Sequence, residues 1–456
     1  MARQIHVQPT DDLNAVIRSA ASDTQLVLMP GRYDGNCVVD KPLEITSDGS
    51  GEAITFSAET GSCLRVTSPR TLIWGLKARA ASRSAILLDI EANDVALDEC
   101  TLIGGKTTAW VHGNNITLNR CTLHDGLLGL HLERCGEVDV VDCTIRDNHS
   151  GVLCTDLERY TRLIACELSH NKKLGLATSY STDYRYSGLH GPALHRCIIH
   201  HNGTDGVQIN DPTWYADLME CRVFNNGSTQ IVLKATARLT FCDISGGVTG
   251  IAIVAGDEDH GPGGSPWIEN CKIHDLPVGI SVTDPDRKAK DAVLARSTQI
   301  YNTTDAACRA TRGAKVNLLS CVIRDNANIG VDIDSEKKQY VDQCRVVRNG
   351  IGVLVRPGGV GKVSESIINR NGNGILAQSG SQIDTWYCHI KGHNHTAVIL
   401  EARTKGNVSD CTFASNPAGD IRRDPQSEVS VHGDPAIDHL AIRQNYPNHV
   451  IKIPDE

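Results

Sequence analysis

Arg309, Asp332 with Asp334, and Arg356 recur at nearly even intervals, and Lys337 and Lys338 follow the acidic pair. Carboxylates bracketed by guanidinium and ammonium groups can hold a charged ligand and move a proton. Arginine is a poor base because its charge is all but permanent. Lys337 or Lys338 is therefore the better proton acceptor, with Arg309 and Arg356 beside them as catalytic candidates. The bland use of the same charges is a solvated salt-bridge ladder. Either reading requires that residues one interval apart in the chain lie side by side in space.

A second set of candidates lies in long polar insertions. TSYSTDYRYSGLHGP (178–192) carries Tyr184 and Tyr186, and DPTWYAD (211–217) carries Trp214 and Tyr215. Aromatic faces next to charged and amide groups suit sugar rings, which stack on their C–H faces while polar groups fix the hydroxyls. Asn210 and Lys234 complete this substrate-binding set. The alternative is that the insertions pack on each other or meet a partner protein. The acidic segment AGDEDHGPGGSPW (255–267) and TDPDRKAKD (283–291) belong to the same group of insertions.

The intervals come from a repeat. Cys100, Cys121, Cys143, Cys166, Cys197, Cys221, Cys242, Cys271, Cys321, Cys344, Cys388 and Cys411 are each followed two residues later by an apolar residue, and Ser297 and Ser366 fill the gaps in the series. Most intervals are between 21 and 24 residues. Five residues after the Cys or Ser an asparagine recurs: Asn148, Asn171, Asn202, Asn226, Asn302, Asn326, Asn349 and Asn371. A Gly-led apolar stretch follows, such as GLHL, GVLC, GVQI, GVDI and GVLV. Self-similarity at this period means a solenoid. Two helices per repeat need about 30 residues, and the leucine-rich pattern is not met. The expected fold is all-β: a single-stranded right-handed parallel β-helix of about 14 clear coils plus irregular N-terminal coils. Equivalent side chains then stack into ladders, with Cys at an inward turn position and Asn tolerating left-handed backbone.

On each Gly-led strand alternate residues point outward. That places Arg309, Asp332, Asp334 and Arg356 on three consecutive coils, and His131 with Glu133 on an earlier one. Residues 1–25 are expected to form a cap with a short helix over DDLNAVIRSAA, capped by Thr10 and apolar at Leu13, Val16, Ile17 and Ala20. The β-helix is expected to span 26–430, and residues 431–456 a C-terminal capping tail, with no second domain. His124, His170, His200, His201 and His274 fall three or four residues after ladder cysteines. They read as tolerant turn residues on coils too far apart to share one ion.

At this point the chain resembles the right-handed β-helix proteins of pectin-lyase-like architecture, whose repeats occur in carbohydrate-binding proteins and sugar hydrolases. The resemblance covers roughly residues 26–430 and implies a glycan or anionic sugar as substrate. It also implies a mechanism for the charged group. Uronate lyases of this fold hold Ca²⁺ on carboxylates against the substrate carboxylate, and a Lys or Arg removes the C5 proton. Asp332 and Asp334 stand where the metal ligands would be, although Asp replaces Glu and Arg309 replaces the expected Asn. Two carboxylates are few for an ion that takes six to eight oxygens. The implied function is a lyase or C5-epimerase acting on a uronate-type sugar. The alternative is a non-catalytic cytosolic scaffold that recognises a protein or glycan through the inserted loops.

Composition narrows the classes further. The 456 residues carry a net charge of -9 and no Lys/Arg-dense segment, so nucleic acid is not an expected partner. No stretch approaches a membrane span, and the N-terminal residues lack the apolar core of a signal peptide. The 17 cysteines are odd in number and contain no CxxC pair, which suggests free thiols in a reducing compartment. A cytoplasmic location is expected, or a secreted one if a leader precedes this sequence. Nothing in the sequence specifies an oligomeric state.

Overall fold

The computed structural model describes residues 3–179, 191–210, 214–254, 266–284, 292–311 and 313–432. The chain divides into two compact units, Met1–Asp243 and Ile244–Glu456. In each, short strands pair in parallel with the strand one coil later, the arrangement of a right-handed parallel β-helix; about 17 turns are present in all. Among the described residues one α-helix occurs, and no helix is long and apolar enough to cross a membrane.

Register explains why the repeat folds this way. Leu128–Glu133 pairs with Ser150–Thr155, matching Leu130 to Val152, His131 to Leu153 and Leu132 to Cys154. The even positions of this strand, Leu130, Leu132, Val152 and Cys154, are buried, while His131, Glu133 and Thr155 face outward and are half-buried. A one-residue slip would exchange the two faces, so burial pins the register.

The thiols do not pair. All 17 are free and buried. Cys166 Sγ donates to Val140 O at 3.2 Å and to Ile164 O at 3.4 Å, and Cys143 makes the same pair of contacts one coil earlier. Burial pushes the Cys135 thiol up to about 12, which keeps it protonated and unreactive.

The asparagine ladder is a chain of hydrogen bonds across coils. The amide N–H groups of Asn148, Asn171 and Asn202 each donate to the next coil's Asn Oδ1 at 3.1 Å, and the run ends where Gln230 Oε1 accepts from Asn226. Left-handed backbone was expected at these asparagines. It occurs instead at the residue before each, at Asp147, His170, His201 and Asn225, and again at the residue before each ladder cysteine. The asparagines are selected for their amide, which satisfies the buried turn. This rule corrects two assignments. Ser297 and Asn302 are themselves the left-handed residues, with φ of 48° and 55°, so Thr298 and Thr303 occupy the ladder positions. The Gly lead has the same origin. A Cβ on Gly175 would sit 2.5 Å from Gly206 O and 2.9 Å from Asn202 Nδ2.

At the N-terminus, Gln4–Val7 is already a strand, in register with Thr24–Leu28. The helix Leu13–Ser19 is capped by Asp12, whose Oδ1 accepts from Ala15 N at 3.1 Å; Thr10 lies too far upstream. Leu13, Ile17 and Ala20 are buried, while Val16 is only half-buried. The last described strand, Glu428–His432, pairs with Lys405–Ser409, so coils continue to 432. The tail beyond lies outside the described residues.

Candidate functional site

The second unit brings the predicted charges together and neutralises them internally. Register places Arg309 beside Asp332 and Asp332 beside Leu354, as expected for the outward face. Asp332 is nonetheless buried, 1% exposed, beneath two guanidinium groups. It accepts from Arg309 Nε at 2.8 Å, Arg356 Nε at 2.7 Å and Arg356 Nη2 at 3.1 Å. Arg309 also makes a bidentate pair with Asp305, both contacts 2.9 Å. These hydrogen bonds raise both arginine pKa values, the opposite of what a base requires. Ala306, Ile329 and Leu354 form an apolar cluster on the same unit, with Ile351 and Leu376 packed on it.

The lysines leave this group in different directions. Lys337 Nζ is 3.2 Å from the buried Asp284, and Lys338 Nζ is 2.8 Å from Asp384. Asp334 is exposed. The set does not fit Ca²⁺: both Asp332 oxygens already accept from cations, which leaves Asp334 as the one carboxylate of the pair open to an ion. The arrangement is a satisfied salt-bridge ladder.

The aromatic set also separates. Tyr184 and Tyr186 lie outside the described residues. Trp214 is 1% exposed, so its indole belongs to the core and cannot stack on a ligand. Tyr215 is 42% exposed. Asn210 is engaged with the neighbouring coil, its N accepted by Thr178 Oγ1 at 2.8 Å and its Nδ2 by Thr178 O at 2.9 Å. Lys234 is half-buried, its backbone N–H held by Ile209 O.

A denser constellation stands on the outward face of the first unit. Register aligns Arg65, Asp89, Trp110 and His131 in one column. Two residues further along each of the last three coils, Glu91, His112 and Glu133 supply a second column. Asp89 is 6% exposed; its Oδ2 accepts from Ser62 Oγ at 2.7 Å, while its Oδ1 is buried without a hydrogen bond and faces His112 Nε2 at 3.6 Å. Burial raises the Asp89 pKa. On the other side of the imidazole, His112 Nδ1 is 3.9 Å from Glu133 Oε2, which accepts from Trp110 Nε1 at 3.0 Å. The indole contacts both histidines, with ring centroids 4.4 Å from His112 and 5.3 Å from His131. Desolvation lowers the His131 pKa to about 4, against the pull of Glu133. Arg65 is bound bidentately to Glu91, so it adds no free positive charge.

Chemically, this face offers a carboxyl whose pKa burial raises, an imidazole between two carboxylates, and an aromatic ring beside them. Of its members, the outward alternation exposes His131 and Glu133 to sequence reasoning. Asp89, Trp110 and His112 escape it because their strands, Ile86–Ile90 and Thr107–Val111, lack the Gly lead that marks the repeat. Extending the register backwards from His131 is the signal that finds them.

The family model described as right handed beta helix region matches residues 84–258 and 287–434. No curated protein matches the chain. Among solved structures, pectate lyase Pel9A is similar at 12% identity and a TM-score of 0.41, over 63% of this chain and 78% of that one. The Azotobacter vinelandii mannuronan C-5 epimerase AlgE6 A-module is 12% identical with a TM-score of 0.32, over 94% and 97%. The catalytic unit of a GH87 α-1,3-glucanase from Streptomyces thermodiastaticus is 12% identical with a TM-score of 0.36, over 92% and 69%.

Proposed function

The chain belongs to the right-handed β-helix family, and from that premise we propose that it is a carbohydrate-active protein performing acid–base chemistry on a glycan laid along the outward face of its first unit. The observation that carries this reading is the imidazole of His112 set between Asp89 and Glu133. Asp89, held toward the acid form by burial, is the proton donor to a leaving oxygen. Glu133 and His112 are the accepting groups, and the half-buried Trp110 edge supports the sugar ring. Asp89 and Glu133 are two coils apart, about 10 Å along the stacking direction, with the His112 imidazole between them. Besides the proton donor Asp89, the face carries two carboxylates, Glu91 and Glu133, against one arginine, so a neutral sugar meets less repulsion here than a uronate does.

The second reading is a lyase or C5-epimerase on a uronate-type sugar at the second unit. It is favoured by the two guanidinium groups that converge on Asp332. On that reading Arg309 and Arg356 bind the substrate carboxylate, and Lys337 or Lys338 must leave its ion pair to take the C5 proton.

A panel of neutral glycans and polyuronates separates the two. New reducing ends without absorbance near 235 nm, lost about 10²–10⁴-fold in the Asp89→Asn variant, are expected for the first-unit site. Unsaturated product that survives Asp89→Asn and disappears in Arg356→Gln would move the chemistry to the second unit. If the protein binds glycans and both variants leave every activity unchanged, the scaffold reading stands instead.

A further inference from the structure

Three histidines that sequence spacing sets apart converge on one edge of the first unit. Cys166 and Cys197 are successive ladder cysteines, separated by an insertion, so His170 and His201 hold equivalent turn positions on adjacent coils. The expectation that these coils are too distant to share an ion is thereby overturned. Both residues are left-handed, φ 55° and 53°, and their rings stack at 5.3 Å with planes 3° apart. His200 ends the strand Ile198–His200 and meets them edge-on, 5.5 Å from His170 and 5.0 Å from His201. One ring nitrogen from each residue lies within 4.8 Å of the other two.

We propose that His170, His200 and His201 form a binding site for a divalent transition metal of the Zn²⁺ or Cu²⁺ class. Neutral imidazoles suit these ions, and three protein nitrogens leave a coordination position for water or a further ligand.

A second, independent feature points the same way. Glu167 Oε1 lies 3.2 Å from His200 Nε2 and also accepts from Ser169 Oγ at 2.8 Å. A carboxylate there accepts a hydrogen bond from Nε2–H, so the Nδ1 lone pair of His200 is left facing the cluster. This is the outer carboxylate that orients metal-binding histidines and raises their basicity. Phe224 stacks on the His200 ring, centroids 4.9 Å apart and planes 8° apart. His200 Nδ1 and His201 Nδ1 are 2.7 Å apart, a contact in which one ring donates and the other accepts, and a bound metal ion takes the place of that shared proton. Around a tetrahedral ion with bonds of about 2.0–2.1 Å the nitrogens would stand about 3.3 Å apart. A small rotation of the exposed His201 ring supplies the difference. The cluster shares no residue with the Asp89–His112–Glu133 face.

The test uses the full chain, free of any affinity tag, dialysed against ZnCl₂ and then assayed for bound metal. Cu²⁺ is the spectroscopic probe, because nitrogen couplings in its electron paramagnetic resonance spectrum report imidazole ligands. One Zn²⁺ per chain and multiple nitrogen couplings are expected. A His170→Asn/His201→Asn double variant, which keeps residues that tolerate left-handed backbone, should lose both signals with an unchanged circular dichroism spectrum. Glu167→Gln should weaken binding about 10–100-fold. Absence of bound Zn²⁺ in the unmodified protein overturns the proposal. So does a double variant that binds as the parent does, and binding abolished by His112→Gln alone would assign the ion to the other face.

Discussion

Lowering the pH should destabilise this protein through His131. Desolvation under Trp110 and the neighbouring coils holds its pKa at about 4, whereas an unfolded histidine titrates at 6.5. The folded state therefore favours the neutral ring. Its contribution is fully present above the unfolded pKa and is lost as pH falls from about 6.5 toward about 4. Linkage between about pH 7.5 and about pH 4.5 gives roughly 2.5 kcal/mol, which partial exposure of the ring reduces to about 2 kcal/mol. Nearby Glu133 opposes the shift and His112 reinforces it, so the balance depends on the geometry of this face. Urea denaturation at the two pH values measures the effect, with His131→Gln as the variant that cannot titrate. The parent should lose about 2 kcal/mol more than the variant on acidification. Histidine Cε1 resonances offer a direct check, with one signal titrating near pH 4. Equal losses in parent and variant, or a His131 resonance titrating near 6.5, would refute the desolvation argument.

Two further outcomes test the ladders. Asn349→Ala removes the acceptor of Asn326 N and Nδ2 and the donor to Ile323 O, all buried, and should cost about 3 kcal/mol in urea denaturation; a cost below about 1 kcal/mol would mean water replaces the amide. Asp332→Ala leaves Arg356 without its counter-charge and Arg309 with Asp305 alone, and should cost about 2–3 kcal/mol after allowance for the partly exposed arginines, whereas an unchanged denaturation midpoint would show that the three-residue ladder contributes nothing.

The sequence alone determined the coil. Period, inward alternation, the buried cysteines and the asparagine series all follow from stacking at a fixed spacing, where each residue meets its equivalent one coil away. Ser297 and Asn302 mark the limit of that logic. The ladder moves one residue to Thr298 and Thr303, because which residue takes the left-handed turn is decided by the coil geometry and not by residue type. The outward charges of the second unit were legible as a group, but their roles were not. Only side-chain packing reveals that both oxygens of Asp332 are consumed by Arg309 and Arg356. The same holds for the sites with chemistry left to offer. Asp89 and His112 stand on strands without the repeat's signature, and His170 meets His201 across an insertion that obscures their equivalence. Periodicity is a property of the backbone and can be read along the chain. Convergence of side chains from different coils depends on rotamers, burial and register together, which only the folded molecule fixes.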